Sequence, residues 1–123
     1  MFDKNLVIHT LDLIDRSLSI IAERTSEIVI ADDFLLTGSG MTLLDSVCMK
    51  LIAIGESIKN LDKLTNKELL TAYSEIPWKR VMGVRDIIVH HYFDVDADEI
   101  FNICKNDIPV LHEVIKRMIA DQK

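Results

Sequence analysis

The sequence has little with which to make turns: four glycines and two prolines in 123 residues. That scarcity points to few, long elements of secondary structure. Cysteine is equally sparse. Cys48 and Cys104 each lie among apolar neighbours with no second cysteine nearby. This favours two small core residues over a disulfide or a metal pair. Apolar runs stop at four or five residues, far short of the roughly 20 that cross a bilayer, so no membrane span is expected. Met1-Phe2-Asp3-Lys4 lacks the charged-then-apolar pattern of a secretory signal, and the expected compartment is the cytoplasm. The net charge of −6 argues against a surface that coats nucleic acid generally, although one local basic site for RNA is compatible with it.

What is present is an ordinary globular balance, 49% hydrophobic and 28% charged, in a chain long enough for one domain spanning residues 1–123. The apolar pattern is helical throughout. Val7, Leu11, Ile14, Leu18, Ile21 and Ile28 recur at spacings of three and four, with Thr25 filling the gap and Asp3 placed as N-cap. Leu44, Val47, Leu51, Ile54, Ile58 and Leu61 repeat the rhythm, with Thr42 as a candidate cap. Gly38-Ser39-Gly40 between them reads as a mobile connection. Thr65-Asn66-Lys67-Glu68 reads as a capping box that opens a short helix ending near Ser74. Pro77 suits the first turn of a further helix running to about Tyr92. Asp96 with Glu99 starts a last helix, striped by Ile100, Cys104, Ile108, Leu111, Ile115 and Met118, which Pro109 should kink or break. The expected fold is all-α: an antiparallel bundle of four long helices plus one short one.

The helix from Pro77 to Tyr92 carries the chemistry. At about 100° per residue, Trp78, Val81, Met82, Ile88 and Val89 form an apolar arc, with Arg85 and Tyr92 inside it. A guanidinium in such a seam needs a partner or solvent. One reading is a structural ion pair, with Glu56 of the second helix as a candidate; the other is a cleft that keeps the charge for an anionic ligand. Asp86 and His90 are four apart, so the carboxylate can orient the imidazole for acid–base work, or both can simply face water. On an ideal helix Arg85 and His90 diverge by roughly 140°. A shared site then needs a loosened helix, wrapping side chains or a second subunit. His9 and His112 read as surface or boundary residues. His90 and His91 are a poor zinc pair, and no phosphate loop, Ser/His/Asp arrangement or carboxylate cluster is found. An enzyme of this sequence is expected to need neither metal nor cofactor.

Arg85-x4-His90-x-Tyr92 resembles the R-x4-H-x-Y signature of HepT-type proteins, a HEPN branch of ribonucleases acting as toxins of prokaryotic toxin–antitoxin pairs. Ile54-Gly55-Glu56-Ser57 is similar to the family's I-G-E-A stretch, and Ile76-Pro77-Trp78-Lys79 to its I-P-W. Asp86 stands where Asn commonly follows the Arg, and Ser57 where Ala is usual. The resemblance runs from the first helix to Leu111. It implies a HEPN-like bundle, a homodimer whose motif helices form one composite cleft, and metal-independent endonucleolytic cleavage of RNA by 2′-OH attack. Under it Arg85 stabilises the phosphate, His90 moves the proton, Asp86 orients His90, and Lys79 and Arg80 add positive potential for RNA. It further implies that Tyr92 is AMPylated by a cognate MntA-like nucleotidyltransferase antitoxin. The alternative is a non-catalytic helical partner of a nucleotidyltransferase.

Overall fold

The structure is a computed structural model, which describes residues 2–91 and 93–123. Helix α1 spans Lys4–Arg24, α2 Gly38–Leu64 and α3 Trp78–His90. The last helix is built in three pieces: α4, Ala97–Asn102; a π turn, Ile103–Asp107; and α5, Ile108–Gln122. Two 3-10 turns, Ala31–Phe34 and Leu70–Tyr73, lie in the connections, and no strand occurs among the described residues. The result is the all-α antiparallel bundle that the periodicity calls for.

The three apolar stripes all turn inward. Leu11, Ile14, Leu18 and Ile21 of α1 meet Ile58 and Leu61 of α2 and Ile115 and Met118 of α5, each at most 1% exposed. Burying a side chain of this kind contributes about 1.5–3 kcal/mol, so these positions dominate the stability of the fold. Asp3 caps α1, its carboxylate accepting from the backbone N–H groups of Asn5 and Leu6. Asp96 caps α4 in the same way through Asp98 and Glu99. Both thiols are buried, and burial pushes Cys48 and Cys104 up to about 11, away from nucleophilic chemistry.

Three local expectations give way. Gly38-Ser39-Gly40 is not a mobile connection but the first turn of α2, capped by Thr37 rather than Thr42; the Thr37 hydroxyl accepts from Gly40 N–H at 2.9 Å. Gly40 is required because the chain crosses itself there. A Cβ would lie 2.2 Å from the Asp33 carbonyl oxygen.

Thr65 does not open a helix; it ends one. Its buried hydroxyl donates to the Leu61 carbonyl at 3.0 Å. Asn66 and Lys67 then adopt φ of 53° and 63°. The N–H of Lys67 reaches Asp62 O and that of Asn66 reaches Lys63 O, the paired bonds of a Schellman motif. Only the 3-10 turn Leu70–Tyr73 remains of the short helix.

Pro109 widens the last helix instead of breaking it. With no N–H to give and a ring that clashes with the carbonyl four residues back, it is accommodated by the π turn, where Ile108 N–H bonds Ile103 O.

The C-terminal turn is tied down by one polar cluster. Tyr73 Oη donates to Asp121 at 2.5 Å, Arg117 lies 5.5 Å over the Tyr73 ring, and Arg117 pairs with Glu75. Burial, followed by the bond to Asp121, pushes the Tyr73 phenol from its ordinary 10 up to about 12.

Two outcomes are predicted. Gly40→Ala should destabilise the fold by about 1–3 kcal/mol in urea unfolding, because backbone must shift. Alkaline stability should also fall. The folded state holds the Tyr73 proton more tightly than the unfolded chain, so its contribution is complete below pH 10 and lost as pH rises toward about 12. Tyr73→Phe should flatten the slope of unfolding free energy against pH between 10 and 12, while the loss from the two thiols between 9 and 11 remains.

Candidate functional site

Helix α3 is bare to a degree no other long helix shares. Of its thirteen residues only Trp78 and Ile88 are buried. Trp78 anchors the start, its indole N–H donating to Tyr73 O at 2.9 Å. Val81, Met82, Val84 and Arg85 are half-buried, while Ile87 and Val89 are exposed. The apolar arc is therefore covered on one side, where α3 packs on α2. That contact is close at Gly55: a Cβ there would stand 3.4 Å from Val81 O and 3.5 Å from Arg85 Cβ.

The close approach sets Arg85 beside Glu56. Arg85 Nε lies 3.1 Å from Glu56 Oε1, yet its N–H is not aimed at that oxygen. The contact is an ion pair without a formed hydrogen bond. A second carboxylate, Asp86, accepts from the guanidinium Nη1 at 3.0 Å. The Arg85 side chain remains 42% exposed between them, and both carboxylates are more exposed still. Exposed pairs of this kind contribute about 0.2–1 kcal/mol. The two readings of Arg85 left open by the sequence therefore meet: the pair with Glu56 exists at the buried Nε, but it forms no hydrogen bond there, and the side chain as a whole stays 42% exposed. The guanidinium is held in place and left reachable.

His90 closes α3 and is exposed. The helix is regular through this residue, so it does not loosen to bring Arg85 and His90 together, and the two project roughly 140° apart. Nor does Asp86 bond His90; in the single chain it is engaged by Arg85. A permanently charged guanidinium one residue away is the stronger donor. Lys79 and Arg80 are exposed near the start of α3, and Arg80 lies 3.5 Å from Asp107. Tyr92 lies outside the described residues.

One constellation went unseen in the sequence. His112 Nε2 donates to Asp15 at 2.7 Å, with Ser19 Oγ 3.4 Å from the same nitrogen. An acyl-transfer triad needs the carboxylate and the hydroxyl on opposite ring nitrogens, so this trio bridges α1 and α5 and is not nucleophilic. Its members are 93 and 97 residues apart, and no local spacing could have signalled it.

The Ribonuclease HepT-like family model matches residues 14–118, from the middle of α1 through most of α5. The chain belongs to the HepT-like ribonuclease family. A Methanocaldococcus jannaschii protein named "Gamma-glutamylcyclotransferase and putative RNase" is 35% identical over 105 residues, covering 85% of this chain and 44% of that protein. A "Putative RNase" of Caldanaerobacter subterraneus subsp. tengcongensis is 36% identical over 70 residues, 57% of this chain and 59% of its own. The "Probable ribonuclease HepT" of Thermococcus cleftensis is 33% identical over 101 residues, covering 82% and 84%. The chain thus spans about half the length of the first two relatives. No solved structure matches it. The HepT-like match takes in α2, α3 and the whole Glu56–Arg85–His90 region.

A double-mutant cycle tests the status of Arg85. The Arg85–Glu56 coupling to stability should be at most about 1 kcal/mol. A coupling above about 3 kcal/mol would make Arg85 a structural residue.

Proposed function

We propose that this HepT-like chain is a metal-independent endoribonuclease whose working unit is a homodimer. The observation that carries the reading is α3 itself: a half-bare helix holding a reachable arginine in an apolar strip. Two such helices facing each other cover Ile87 and Val89 and bring Arg85 of one protomer toward His90 of its partner. A two-fold contact meets the 140° divergence that one helix cannot.

In the proposed reaction the ribose 2′-oxygen attacks the adjacent phosphorus and the P–O5′ bond breaks, leaving a 2′,3′-cyclic phosphate and a 5′-hydroxyl. One histidine removes the 2′-OH proton and one supplies a proton to the departing 5′-oxygen; an imidazole with an ordinary pKa of about 6.5 serves either role. Arg85 lies against the crowded phosphate, where charge builds in the transition state. Asp86 and Glu56 position Arg85, and the His90-orienting role of Asp86 would require its carboxylate to turn in the dimer. Lys79 and Arg80 supply local positive charge on an acidic protein.

Regulation is proposed through Tyr92, two residues beyond His90. A cognate MntA-like nucleotidyltransferase would transfer AMP from ATP to its hydroxyl, releasing pyrophosphate and adding negative charge close in sequence to His90, where it would oppose an RNA phosphate. The stretch 29–41 exposes five large apolar side chains, Val29, Ile30, Leu35, Leu36 and Met41, and such exposure supports a protein partner. This reading is a toxin of a type VII-like pair working in the cytoplasm.

Purified protein should sediment as a dimer and cleave RNA to cyclic-phosphate ends. His90→Ala and Arg85→Ala should each lower the rate by about 100-fold or more. Wild type and both variants equally inert on RNA and harmless on induction would end the nuclease reading. With the nucleotidyltransferase co-expressed, the chain should gain the mass of one AMP; Tyr92→Phe should not.

A further inference from the structure

The guanidinium proposed to meet an RNA phosphate already carries two carboxylates. Glu56 lies 3.1 Å from Nε of Arg85, and Asp86 accepts from Nη1 at 3.0 Å. One positive charge against two negative ones repels a phosphate as it stands. For an anion to bind, one carboxylate must give way, and the geometry decides which.

A guanidinium grips an oxyanion two N–H groups at a time, through Nε with Nη2 or through Nη1 with Nη2. The first fork is shut, because Nε is buried on the Glu56 side. The second is the one left to a ligand, and its Nη1 is the atom that Asp86 holds. Asp86 is also the easier of the two to move. Its side chain is 62% exposed against 53% for Glu56, and a pair this solvated parts at little cost. His90 stands four residues on, so a freed Asp86 carboxylate lies one helical turn from an imidazole it can bond.

We infer that Asp86 is a gate on Arg85: it fills the phosphate position in the empty site, and an arriving phosphate displaces it onto His90 of the same helix. Two events are thereby coupled, the imidazole gaining its carboxylate when Arg85 gains its phosphate. The identity of the anion rests on the ribonuclease reading; the exchange itself can be followed without RNA.

The test is a titration of the full wild-type chain and of Asp86→Asn with inorganic phosphate, read from the Arg85 Nε–H and His90 ring nitrogen resonances. In the wild type both should move with one midpoint. Asp86→Asn, isosteric and at an exposed position, should bind phosphate at Arg85 about three-fold more tightly or better, and lose at least half of the His90 response. On RNA the same variant should lower KM while lowering kcat about 10-fold or more, a split that simple loss of fold does not give. Glu113→Gln, which removes an exposed charge on α5, should alter neither, and so separates competition at the site from net charge. Phosphate affinity unchanged or weakened in Asp86→Asn, a silent Arg85, or a His90 response that survives the substitution would overturn the gate. A wild type that shows the exchange with phosphate yet leaves RNA intact would end the nuclease reading and keep the gate.

Discussion

The packing of α1 against α2 and α5 is the constraint from which the rest of the molecule follows. The fully buried set running from Leu11 to Met118 closes those three helices around one core. Closure leaves α3 outside, laid along α2 and anchored chiefly by Trp78 and Ile88. A helix supported from one side has two free flanks, and each has a different character here. One carries Arg85 between two carboxylates; the other overhangs a half-open apolar groove. Neither would exist if α3 were as deeply embedded as α1.

The energetics of Arg85 follow from that placement. A guanidinium sealed in a hydrocarbon seam would lose several kcal/mol of hydration and would need well-formed bonds to recover it. At 42% exposure it keeps much of its water, and the partners at 3.0 and 3.1 Å serve to fix its position. The charge is thus fixed on its buried Nε side and left open on the other.

Legibility in the sequence varied with the range of the interaction. All six positions of each apolar stripe proved buried, because a 3.6-residue period leaves few ways to hide that much hydrocarbon. The caps at Asp3 and Asp96 were equally readable, since a capping carboxylate reaches only two or three residues ahead. Thr65 was misread because the same residue types serve both ends of a helix: hydroxyl and Glu68 fit a capping box, yet Asn66 in the left-handed region closes α2 instead. Gly38 to Gly40 looked like a hinge because the carbonyl that demands Gly40, that of Asp33, is visible only in three dimensions. Pro109 announced a disturbance, but that the helix widens while keeping both Ile103 and Ile108 in the core is visible only in three dimensions.

The sequence by itself determined the long helices, the inward faces of α1, α2 and the last helix, and the motif Arg85-x4-His90, because these rest on local periodicity and on residue identity. Tertiary structure alone decided that Glu56 and Asp86 share Arg85, that His112 holds Asp15, and that α3 lies half uncovered. The reason is physical: a side chain's partner across 29 or 97 residues is chosen by which helices the core brings side by side, and no local period records that choice.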